Sequence, residues 1–473
     1  MRAQALLLLG CLALAYRPGP PAAPRLLTVR QANPRALPTD VPSVSVSADG
    51  RYVAFVSYAR LVSADTDDAP DIYVLDLRSG SVARESAAPG SRVLAGGVSP
   101  DISGDGHFLV YETSEDRADG RPRVVVALRD RWKGTTQVMC GGDADGSCDT
   151  PRISADGRTM VFASAATRLV SGPDANGAAT DVYTFDRETG AIHRVSVDSQ
   201  GRQPPIGASF APAVSGDGRY VAFVSTAPLD LPQAVASAQT PAVYVRDTIR
   251  GVTTRISVGL RDAAPNGPSY QPSVNGDGRF VAFTSDASNL VPHDSNRAAD
   301  VFLYDRDARA IQLISRGGSG DSANGRSMRP AISADGRMVA FQSDASDLTC
   351  GRRCGSARDD INLVADVFLF DRDAGGIQCL SRGRTPWMEP SIGPAIDGTG
   401  SVVAFSSRHP VDARDLYEDF DLFVLERRPI ASSAVKSPFA PGFSPIGETW
   451  LQRITPSRSM TNSARSLMPI CSR

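Results

Sequence analysis

Lysine is almost missing from this chain of 473 residues, and Lys133 and Lys436 are the only two. Arginine therefore carries nearly all the basic charge, with 50 Lys+Arg set against 52 Asp+Glu. A surface so balanced lacks the positive field that drives counterion release, which argues against a nucleic-acid partner. Histidine is scarce too: His107, His193, His293 and His409 read as surface or packing residues rather than general bases. There is no G-x-S-x-G elbow, no H-E-x-x-H pair and no P-loop. Helical periodicity is absent. No apolar run approaches the ~20 residues that a membrane span needs.

The N-terminus, MRAQALLLLGCLALAYRPGPPAAP, has a short positive start, an apolar run from Ala3 to Leu14 and a small-x-small site at Ala13–Ala15. Residues 1–24 thus read as an export signal and short leader, leaving the protein periplasmic or extracellular. The rival is an untargeted frayed end. Leu8-Leu9-Gly10-Cys11 resembles a lipobox, so Cys11 is a candidate lipid anchor. Cysteine spacing fits an oxidising compartment: Cys140 and Cys148 flank one short loop, Cys350 and Cys354 another. Zinc is the alternative for these thiols, although no histidine lies near them in sequence.

What the chain has in abundance is one sentence written seven times. ISADGRMVAF from Ile332 is echoed by VSADGRYVAF (Val46), ISGDGHFLVY (Ile102), ISADGRTMVF (Ile153), VSGDGRYVAF (Val214), VNGDGRFVAF (Val274) and IDGTGSVVAF (Ile396). Asp-Gly is a hairpin signal, because Gly accepts positive φ and Asp bonds its own backbone. A third extended segment follows each copy, as in DIYVLD, DVYTFD, DVFLYD, DVFLFD and DLFVLE. A turn and a fourth segment then close a unit of about 50–65 residues, the length of a propeller blade.

The second strand of each unit places Phe55, Tyr111, Phe162, Phe223, Phe283, Phe341 and Phe405 at one position. Apolar residues beside them point to both faces, so these strands are buried on both sides. The expected fold is all-β: a seven-bladed β-propeller of four-stranded antiparallel blades over residues 25–429. No convincing fourth strand follows residues 421–429, so residues 25–31 are expected to complete the seventh blade. Residues 430–473, rich in Ser and Pro, read as a flexible tail.

These repeats resemble the TolB-like, WD-repeat-like β-propeller family, with its P-x-(F/I/V)-S-x-DG-(R/K)-x-(I/V)-(A/V)-F signature followed by D-(I/V)-(Y/F)-x-x-D. The first unit departs by having Val44 where Pro is usual, and the last by Thr399-Gly400. The resemblance implies a protein-binding platform, or a propeller of the kind that sits beside a catalytic domain in prolyl oligopeptidases. It also implies that the loops joining strands two and three share a face with the loops joining one blade to the next.

On that face, four acidic stretches suggest calcium: Asp65, Asp67 and Asp71; Asp174, Asn176 and Asp181; Asp294, Asn296 and Asp300; Asp360, Asn362 and Asp366. Asx-turn chemistry at a strand entrance explains the same residues without a metal. Phe210, Tyr270, Met328, Trp387 and Met388 form a candidate ring for a peptide or protein hot spot, with packing between blades as the alternative. The reading is an exported, monomeric, non-catalytic binding propeller that needs no cofactor. A hydrolase or lyase acting on envelope glycans, or a calcium-stabilised surface protein, stands as the alternative.

Overall fold

The computed structural model describes residues 43–66, 69–86, 96–116, 122–140, 145–230, 240–318, 320–348, 364–381, 390–408 and 421–427, and the backbone of Arg25–Leu27. They form seven four-stranded antiparallel sheets. Blades 1 to 6 each use four consecutive strands, which begin at Val44, Val98, Cys148, Ser209, Ser269 and Ser327. Blade 7 takes Ser391–Ile396, Val402–Ser407 and Asp421–Glu426 and completes itself with Arg25–Leu27. The chain's two ends are thereby joined. Among the described residues no helix is long and apolar enough to cross a membrane.

The second strands lie in the core, as the doubly apolar pattern requires. All seven aromatics at the shared position are at most 2% exposed. In six blades the ring stacks on an aromatic of the third strand, from Phe405–Phe423 at 5.3 Å to Phe223–Tyr244 at 6.1 Å between centroids. Each apolar cluster spans neighbouring blades, so the blades are held face to face by burial.

The repeated Ser-x-Asp-Gly serves the turn between strands one and two. Ser47 donates to Asp49, and the amide of Tyr52 donates to Ser47 Oγ at 2.9 Å. The residue between Ser and Asp has a less local task. The amide of Gly104 donates to the Ala155 carbonyl (2.9 Å), that of Gly276 to Ala334 (2.9 Å), and that of Gly398 to Ala48 (3.0 Å). Asp49, Asp156, Asp217 and Asp335 complete the set through Gly104, Gly216, Gly276 and Gly398. All seven seams are thus bridged by main chain in one closed belt about the axis. Only Ala and Gly fit there: a Cβ on Gly398 would stand 2.7 Å from the Ala48 oxygen.

The same face carries a second set of inter-blade joints. Arg131 of blade 2 lies over Tyr52 of blade 1, Arg187 over Phe108, Arg306 over Tyr220 and Arg372 over Phe280, all within 4.8 Å. Of the three joints whose earlier blade has no ring, two also lack the cation, Thr159 being followed by Thr248 and Val402 by Leu77, whereas Met338 is followed by Arg427.

Candidate functional site

At the opposite end of the channel, the inner strands of blades 2 to 7 each carry a proline, Pro100, Pro151, Pro212, Pro272, Pro330 and Pro394. Proline has no amide to donate, so it interrupts the ladder with the second strand, and each strand bulges there. The residue before each proline is driven into the left-handed region: Ser99, Thr150, Ala211, Gln271, Arg329 and Gly393, with φ from 49° to 63°. Such conformations are uncommon for residues other than Gly and cluster at functional sites.

Side chains from neighbouring positions cap several of these strained amides. Thr150 N–H donates to Glu112 Oε1 (2.9 Å), Arg329 N–H to Gln271 Oε1 (3.0 Å) and Gly393 N–H to Gln342 Oε1 (3.1 Å). One strand position deeper, Asp101 accepts from Ser45 Oγ and from the amide of Ile153, both at 2.8 Å, tying blades 1, 2 and 3 together. Burial pushes the carboxyls of Asp101, Glu112 and Asp149 above their ordinary range. All three belong to blades 2 and 3.

Arg329, on blade 6, has the opposite character. Its half-buried guanidinium is lowered by loss of water alone, and it makes no ion pair among the described residues. A cation so placed is costly unless a negative partner arrives.

The candidate calcium residues are placed as follows. The aspartate that opens the third strand is buried in blades 1, 3, 5 and 6: Asp71, Asp181, Asp300 and Asp366 accept from Ser86, Ser196, Ser315 and Ser381, fifteen residues on. In blade 1 Arg84 stands 2.8 Å from Asp71 and 3.7 Å from Asp65. In blade 3 Arg194 lies 3.3 Å from both Asp174 and Asp181. The Gln203 amide nitrogen sits among Asp174, Asn176 and Asp181 at 2.5–2.8 Å. Protein donors thus occupy the space between those oxygens.

The guanidinium accompanies a hydroxyl. Tyr73, Tyr183 and Tyr244 pair across the sheet with Arg84, Arg194 and Arg255, whereas Phe302 and Phe368 pair with Leu313 and Cys379. In blade 5, Asn296 therefore bonds Asp300 (2.8 Å) with no arginine in the strand-four position. Burial first, then the charge of Asp294, raises Asp300 to about 7. Burial raises Asp181 to about 6 despite Arg194. Among the described residues no group of three or more His, Cys, Asp or Glu side chains is arranged to hold a metal ion. Asp67, Asp360 and Asn362 lie outside the described residues.

Of the candidate apolar ring, Phe210 is exposed, while Tyr270 and Met328 are half-buried. Tyr270 donates its hydroxyl to Asp286 at 2.6 Å. Trp387, Met388, Cys350, Cys354, residues 1–24 and residues 430–473 lie outside the described residues. Cys140 and Cys148 are disulfide-bonded, Cα–Cα 6.4 Å, pinning the end of blade 2 to the inner strand of blade 3 beside Asp149. The sequence reading missed Arg329, Glu112 and Asp101. Their signal was departure from the repeat, since neither an arginine nor an acid recurs at those positions.

No protein-family model matches this chain, and neither does any curated protein sequence. Solved structures with a similar fold include an oligogalacturonate lyase from Vibrio parahaemolyticus, with 14% identity and a TM-score of 0.49 over 86% of this chain and 98% of that one. An oligogalacturonate lyase in complex with manganese gives the same identity and TM-score over 87% and 98%. The β-propeller domain of the trilobed protease from Pyrococcus furiosus gives 12% and 0.46 over 78% and 90%. Likeness at this level is one of fold. The absence of familiar hydrolase motifs does not by itself exclude a reaction, and the expectation that the protein is not an enzyme is corrected: two of the solved structures similar in fold are oligogalacturonate lyases.

Proposed function

We propose that this propeller receives a carboxylate-bearing peptide or protein segment at the bulged end of its central channel, with Arg329 as the counter-ion. The observation that carries the reading is a desolvated guanidinium without an ion pair among the described residues, on a strained residue of a channel-lining strand. Phe210, Tyr270 and Met328 stand next to the bulges and offer apolar contact to neighbouring ligand groups. Membership of the TolB-like family and export both belong to this reading. The repeat signature supports the first; the Cys140–Cys148 disulfide and the N-terminal segment support the second.

Calorimetric titration with short peptides, each with a free or an amidated C-terminus, tests it. Free-acid peptides should bind, and both amidation and Arg329→Met should abolish binding. Equal binding of amidated peptides, or of the variant, would refute the reading.

A second reading has its own support. Glu112, Asp149 and Asp101 are held toward their protonated forms on channel-lining blades, as proton donors need to be. On this reading the protein cleaves acidic envelope glycans. Release of new chain ends from acidic polysaccharides, lost on Glu112→Gln or Asp149→Asn, would establish it.

A further inference from the structure

In a repeat protein a residue needed for the fold recurs, whereas one needed for a task stands in a single repeat. Blade 2 breaks the repeat twice in one place. Directly after the Asp-Gly turn, five blades have an arginine that forks onto the last aspartate of the third strand, as Arg219 does on Asp247 at 2.6 Å. Blade 2 has His107, whose Nε2 lies 2.9 Å from Asp130. Two residues beyond that aspartate comes Trp132, where blades 1, 3, 5 and 6 have charged side chains and blade 4 has Ile249.

These two departures touch each other. The Trp132 indole lies flat on the His107 imidazole, with centroids 3.7 Å apart and planes 12° apart. His107 in turn stacks on Phe108 at 3.9 Å, and Phe108 is 7% exposed and also carries Arg187. One indole face is therefore fixed to a pile that reaches the core. Trp132 is still 67% exposed, so its other face is open.

We infer that Trp132 is a stacking platform for a neutral saccharide ring, on the face opposite the bulged end of the channel. A single flat aromatic face matches the C–H face of one pyranose in extent and apolarity. Lys133, the next residue in the chain, has a side chain 73% exposed, 3.1 Å from Asp130, so its ammonium is open to donate to ring hydroxyls. The ammonium also disfavours a cationic ligand, which would otherwise prize an indole face. The charged surroundings of Trp132 do not form the apolar core of a protein interface.

The experiment uses the whole protein with neutral gluco-, xylo- and chito-oligosaccharides of four to six units, read by intrinsic tryptophan emission and by retardation in gels containing neutral polysaccharide. At least one class should shift the emission and slow migration. Trp132→Ala should weaken that binding about tenfold, and Trp132→Phe should recover part of it. Because Trp132 is exposed, both variants should melt at the wild-type temperature. Arg329→Met should leave saccharide binding intact. Absence of any response, or equal binding by Trp132→Ala, would overturn the inference.

Discussion

The backbone of Leu26 pairs with that of Phe423, between Arg25↔Val424 and Leu27↔Leu422. Three residues near the start of the chain thus supply the outer strand of its last blade. A protein beginning at Asp40 should lose this edge and about 2–4 kcal/mol of stability, from the ladder bonds forfeited. The urea midpoint measures it, and an unchanged midpoint would mean that the ring closes without the strand.

The belt of seven turns makes a second prediction. Gly398 has no space for a side chain against Ala48, so Gly398→Val should cost about 1–3 kcal/mol by forcing the joint between blades 7 and 1 apart. The change from Ala334 to Gly, at an equivalent position, should be far milder. Comparing the two in chemical unfolding separates crowding from backbone entropy.

Asp300 sets the third. Its folded value near 7 lies above the ordinary carboxyl value near 4, so the native state holds the proton more tightly than the unfolded chain does. Stability from this group is intact below about pH 4 and is lost as pH rises toward 7. Asp300→Asn should flatten the fall in thermal midpoint between those values, and Asp181→Asn should do so to a smaller degree. A wild-type midpoint that rises over that window, and an unaltered one in Asp300→Asn, would contradict the assignment.

Much of this architecture could be read from the sequence, because it is local and repeated. The Asp-Gly turns, the seven aromatics and the closing strand each follow from short patterns with a single physical reason. What escaped depends on a neighbouring blade. The Ala or Gly at the start of each turn has no local signal, because its cause is main chain of the next blade. The acidic loops looked like ligand sets because Arg84 and Arg194, which enter two of them, come from the following strand. Arg329 was hidden among six unlike residues, since only the bulge shows that they share a conformation.

Arg329 also makes a prediction about the empty protein. Removing a half-buried charge that lacks an ion pair among the described residues should not destabilise, so Arg329→Met should keep or raise the thermal midpoint while losing carboxylate binding. A drop of several degrees would mean that the guanidinium is held by the fold itself.

The pairing of Leu26 with Phe423 has a consequence in time. Roughly 400 residues separate the partners, and at about 5–20 residues per second a ribosome needs roughly 20–80 s to produce the second after the first. Over that interval the blades are completed one after another in an open arc with an unmatched end on either side. The nascent chain must therefore be shielded, or kept from folding, until its final blade has been made.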